Sequence, residues 1–121
     1  MTKKTALSLL ACYEGKPKKI PRHFALLRCR RCEQRQIYLG ETLKTLMRRI
    51  SRSQRDPISE TQAFYWEMDY IFSFSKSDVS RRFARTVRSI LGDIVDYLWI
   101  EEEAGQRDME SYIYNILMED R

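Results

Sequence analysis
The chain has 121 residues, of which 43% are hydrophobic, 12% aromatic and 32% charged, with a net charge of +5. That length and apolar content suit one domain with a real core (residues 1–121) and argue against disorder. Four glycines and three prolines leave few tight turns, which disfavours an all-β chain, and no apolar run reaches the ~18 residues of a membrane span.

Residues 4–13 read as a short first helix with Leu7, Leu10 and Ala11 on one face. The stretch from Glu14 to Pro21 holds two prolines and a glycine and ends that helix; Pro21 suits the first turn of the next. From Pro21 to about Ser53 the residues Ala25, Cys29, Cys32, Gln36, Leu39, Leu43, Leu46 and Ile50 follow a 4-3-4-3 spacing. That is the seam of a long second helix. Gly40 lies beside the seam, where it is expected to mark a close helix contact.

Ser51 to Ile58 reads as a loop stopped by Asp56-Pro57. Ser59 followed by Gln62 fits a capping box, so a third helix is expected from Ser59 to about Phe72. Its inner stripe is Phe64, Met68, Ile71 and Phe72. A fourth helix, capped by Ser77 or Asp78, carries Val79, Phe83, Val87, Ile90, Ile94 and Leu98 at helical period. Its Gly92, like Gly40, is expected at a close backbone approach. Glu101 to Glu103 and then Gly105 suggest its end. A fifth helix from Asp108 to Met118 is expected to turn Met109, Tyr112, Ile113, Ile116 and Leu117 inward. The expected fold is therefore all-α, a compact bundle of four main helices plus a short N-terminal helix.

Charge is unevenly spread along the chain. Residues 1–58 carry 15 Lys/Arg against 4 Asp/Glu, and residues 59–121 carry 7 against 13. Such asymmetry marks either a basic surface for an acidic partner or two halves that attract each other. On the second helix Arg30, Arg31, Arg48, Arg49 and Arg52 are expected to project away from the seam, with Arg28, Arg35 and Lys44 flanking. On the fourth helix Arg81, Arg85 and Arg88 form one stripe, with no acid between Val79 and Gly92. Arginine pairs with a partner protein's carboxylates or with nucleic-acid phosphates; a solvated or internally paired face is the plainer reading. Trp66, Tyr97 and Trp99 are candidate interface aromatics, beside Tyr65 and Tyr70, and the all-round apolar run Tyr97 to Ile100 is a candidate homodimer contact.

Chemical motifs are sparse. Cys29 and Cys32 form a CxxC among arginines, which suits thiolate chemistry or half a zinc site. Cys12, His23, Cys29 and Cys32 would complete such a metal set. The simpler account is that both CxxC thiols pack in the seam. His23 is the only histidine, more in keeping with a cap or surface role than a base. Asp93 and Asp96 share a face without further ligands, and a solvated face or a salt bridge to the basic half is the expected role. No motif implies a cofactor. The odd cysteine count points to a reducing cytoplasm rather than a disulfide framework. A lipid anchor at Cys12, after Leu9-Leu10-Ala11, is the alternative location.

The residues thus point to a non-enzymatic binding or regulatory module that docks a protein partner. A nucleic-acid-binding regulator using the basic faces of the second and fourth helices is the alternative. A thiol-redox or zinc protein built on Cys29 and Cys32 is the third reading.

Overall fold
The computed structural model of the chain describes residues 1–14 and 30–119, with the side chains of 30–32 and 119 outside that set. Among the described residues four helices follow in order: α1 (Lys3–Ala11), α2 (Arg30–Arg52), α3 (Pro57–Phe74) and α4 (Asp78–Glu119). No strand occurs among the described residues, so the all-α expectation holds. None of the described helices is long and apolar enough to cross a membrane.

α1 begins where the Thr2 hydroxyl accepts from the Thr5 amide at 3.2 Å, a side-chain cap for an otherwise orphaned donor. Ala6 and Leu10, four positions apart, are both buried, so this short segment is core rather than appendage. The Met1 amino group lies 3.4 Å from Asp56 and 3.2 Å from Glu102. It ties the start of α1 to the start of α3 and to the middle of α4.

α2 buries Leu39, Leu46 and Ile50, three members of the expected seam. Thr42 replaces Leu43 as the fully covered position between them, and Gln36 faces solvent. The expected helix start at Pro21 and the seam residues Ala25 and Cys29 lie outside the described residues. Gly40 does not mark a close contact: a Cβ there would meet nothing within 4 Å. Gly92 does sit at one, with a Cβ position 3.6 Å from the Tyr65 ring, where α3 lies against α4.

α3 starts earlier than the Ser59 capping box implies. Asp56 is the cap, its carboxylate accepting from the Ile58 amide at 2.9 Å and the Ser59 amide at 3.3 Å. Pro57 occupies the first helical turn, where its fixed φ suits the helix and its missing N–H costs nothing. A charged acceptor followed by a preorganised proline outcompetes a serine further on. The two added residues, Pro57 and Ile58, are buried, and Thr61 joins them in the core. Phe64 and Met68 continue that face, with Ile71 and Phe72 half-buried.

α4 starts at Asp78 as expected, with the Ser77 hydroxyl accepting from the Ser80 amide at 3.3 Å. Ala84, Val87, Ile90, Leu91, Ile94 and Leu98 are buried, a face shared by α3, α2 and α1. Val79 and Phe83 were expected on this face but are exposed, because the stripe begins only at the next turn. The larger departure lies at the other end. Gly105 does not stop the helix, and no separate fifth helix forms. α4 runs unbroken for 42 residues, about 60 Å at the α-helical rise. One glycine costs about 1 kcal/mol, and Glu103, Ala104 and Gln106 around it are adequate helix formers. No proline and no left-handed residue is there to end it.

Candidate functional site
The body of the molecule ends near Glu102, where the Met1 amino group reaches α4. Residues 103–119 therefore extend about 25 Å beyond it as bare helix. This overhang is not polar. Leu91 and Met109, Ile94 and Tyr112, and Leu98 and Ile116 are pairs separated by eighteen positions. Eighteen residues are five full turns, so both members of each pair lie on one face. The stripe that fills the core thus continues past it. Leu91, Ile94 and Leu98 are fully buried, whereas Met109, Tyr112, Ile113, Ile116 and Leu117 are 42–63% exposed. These five were expected inward; their period is helical, but no described helix reaches far enough to cover them.

Trp99 and Ile100 are exposed at the base of the overhang. Tyr97 differs: it is half-buried with its ring 5.0 Å from that of Tyr13, an internal contact between α4 and the end of α1. Burial and the nearby Glu101 hold its hydroxyl above the usual tyrosine range. Acidic residues rim the overhang. Glu101, Glu103, Asp108 and Glu110 stand exposed along it, with Arg107 the single cation among its described residues.

Trp66 is also exposed, on α3, where it forms a ridge with Tyr70 and Phe74 at a spacing of four. Tyr70 and Phe74 stack at 4.8 Å, and the ridge borders a shallow apolar groove floored by Met68 and Ile71. Tyr65 packs inward at Gly92 instead.

The arginines divide into two groups. Arg49 and Arg88, candidates for contact with a partner, are instead internally paired, the plainer of the expected readings. Arg49 Nε donates to Glu60 at 3.0 Å, and its two terminal nitrogens donate to the Glu67 carboxylate at 2.6 and 2.9 Å. Its guanidinium also stacks 4.5 Å from the Phe64 ring centre. Glu67 and Glu60 hold the Arg49 charge even more firmly than usual. Arg88 donates to Asp69 at 2.7 Å and lies 4.3 Å over Phe72. Both lie within reach of acids on α3, so the pairing follows from packing helices of opposite charge. Arg48, Arg52, Arg81 and Arg85 are exposed as expected. Arg30 and Arg31 lie in the first turn of α2, outside the described side chains.

A cleft between α2 and the first turns of α4 collects further cations. Gln34, Arg35, Tyr38, Arg82, Arg85 and Thr86 line it. Arg35, which charge patterning placed only as a flank, is its organiser. It donates to Asp93 at 3.0 Å and to Ser89 at 3.3 Å, a salt bridge being one of the two roles expected for that aspartate. Only the i, i+4 pairing of Gln34 with Tyr38 and the run Arg81–Arg85 hinted at this cleft in the sequence.

Of the expected thiol and metal residues, Cys12 is exposed just past α1 and carries no disulfide. His23 and Cys29 lie outside the described residues, and Cys32 is in α2 with its side chain undescribed. Among the described residues no three His, Cys, Asp or Glu side chains converge on a metal position. No protein-family model, no curated protein and no solved structure matches this chain.

Proposed function
We propose that this protein is a non-enzymatic docking module whose target is another protein, seated on the α4 overhang. The observation that carries this reading is the core stripe running uncovered from Met109 to Leu117. A patch of that kind on a folded chain marks an interaction surface. It suits an amphipathic helix laid against it, anchored by side chains at i, i+3, i+4 and i+7. The acidic rim selects a partner helix with basic flanks, since complementary charge speeds encounter and rejects acidic competitors. Trp99 at the base supplies the kind of anchor that dominates interface energies.

The test compares baits in extracts of the source cells: the wild type, and an Ile113→Asp/Ile116→Asp variant. Both changes are on exposed helix, so the melting temperature should hold within ~3 °C. A specific partner should be retained by the wild type, lost at least tenfold by the variant, and cross-linked through position 112. Equal recovery on both baits, or no recovery, refutes the overhang as the docking surface.

The nucleic-acid reading draws on Arg48, Arg52, Arg81, Arg82 and Arg85, which are exposed. It is weakened by Arg49 and Arg88, whose charges are neutralised on α3 and so interrupt any phosphate track.

A further inference from the structure
The cleft between α2 and α4 has a composition that structural packing does not require. It encloses about 520 Å³, within the range of small-ligand sites. Three of its six lining residues are arginines, none is a carboxylate, and the other three are Gln34, Tyr38 and Thr86. Three cations drawn together repel one another, and their gathering calls for compensation. Asp93 compensates one of them, Arg35, from outside the cleft. Among the described residues Arg82 and Arg85 have no carboxylate within ion-pair distance.

Two of the donors here, Arg35 and Tyr38, are also held in place. Arg35 is oriented by its bonds to Asp93 and Ser89. The Tyr38 hydroxyl accepts from Gln34 Nε2 at 3.0 Å, which leaves its own proton free to donate. The Tyr38 ring is fixed edge-on against Phe83, with centroids 5.4 Å apart. Arg82 and Arg85 emerge from one helix three positions apart, so their guanidinium groups share a face. That face bears no acid from Val79 to Gly92.

We propose that this cleft is an anion site that takes a compact phosphate-bearing ligand, of the size and charge of a pyrophosphate group. Planar guanidinium forks match phosphoryl oxygens two at a time, and three forks with a phenol exceed what a single monophosphate needs. A point-like ligand fits better than a nucleic-acid backbone. The arginines that would extend a track, Arg49 and Arg88, are tied to Glu60, Glu67 and Asp69. The site is independent of the overhang and neither reading depends on the other.

The test is calorimetric titration at about 50 mM salt with two probes, inorganic pyrophosphate and ADP. The proteins are the wild type, Arg82→Gln, Arg85→Gln, Arg85→Lys, and Arg48→Gln/Arg52→Gln as a control elsewhere on the basic surface. Saturable one-site binding is expected, lost at least tenfold in either glutamine variant. Arg85→Lys should fall between, keeping the charge but not the fork. The control variant should bind as the wild type. Tighter binding of ADP than of pyrophosphate would assign a nucleotide, and equal binding a free phosphate compound; both support the site. No heat with either probe at millimolar concentration would overturn it. So would equal losses in the control, which indicate diffuse attraction, or binding of an oligonucleotide that pyrophosphate does not displace. All variants alter exposed helix positions, and unchanged helical circular dichroism verifies that they fold.

Discussion
Among the described residues Glu60 is the one buried charged residue, 8% exposed at the junction of α2 and α3. Burial alone would push its carboxyl pKa up, but hydrogen bonds from Arg49 and Ser53, with the charge of Arg55 nearby, outweigh this and hold it below the usual range. A carboxylate with a depressed folded pKa stabilises the fold above its unfolded pKa. That contribution is lost as pH falls through the ordinary glutamate value, roughly 4.3, and then through the folded one. Glu60→Gln should cost about 2 kcal/mol at neutral pH, the scale of a charged hydrogen bond. The difference from wild type should shrink below about pH 4. Urea midpoints at pH 7 and pH 3 measure both; a gap of the same size at the two values would show that ionisation is not the cause. The sequence placed Arg49 on a solvent-facing surface because helical spacing shows only which side a residue leaves. It does not show that α3 arrives on that side with Glu60 and Glu67.

α4 illustrates what periodicity carries and what it leaves out. The stripe from Val87 to Leu98 was readable, as was the second stripe from Met109 to Leu117, because both follow 3.6-residue spacing. Their continuity was not read, since Gly105 and three glutamates resemble a helix end. The eighteen-residue repeat from Leu91 to Met109 is the feature that joins them. Inward orientation was inferred from apolar character, which is valid only where another element exists to pack against. An uncovered helix end has only its own hydrogen bonds to hold it, and short isolated helices are marginal in water. Backbone amides of residues 106–117 should therefore exchange with solvent far faster than those of 87–98, by about three orders of magnitude or more. Exchange mass spectrometry on the unliganded chain measures this. Equal protection in the two segments would mean that something already covers the overhang in solution.

At the scale of the molecule, the two oppositely charged halves do meet. Arg35 reaches Asp93, and Arg49 reaches Glu60 and Glu67, so part of the basic surplus is spent within the fold. The rest is segregated, with cations at the α2–α4 cleft and acids along the overhang. Net charge per half was visible in composition; which arginines are consumed depends on helix packing, which composition does not encode. This arrangement separates stability from contact surface, because among the described residues the buried ones all belong to the body and none to residues 103–118. Ending the chain after Gln106 should shift the melting temperature by less than ~3 °C, since little buried area is removed. Leu98→Ala, by contrast, empties a fully buried site at the junction and should cost about 2–5 kcal/mol, a drop of roughly 10 °C or more for a domain this size. Thermal melts of the three proteins compare the two effects directly. A truncated chain that melts as low as Leu98→Ala would mean the overhang is already packed in the isolated protein. Its apolar stripe would then be part of a core, closed by residues 15–29 or by a second copy, rather than a surface held open for a partner.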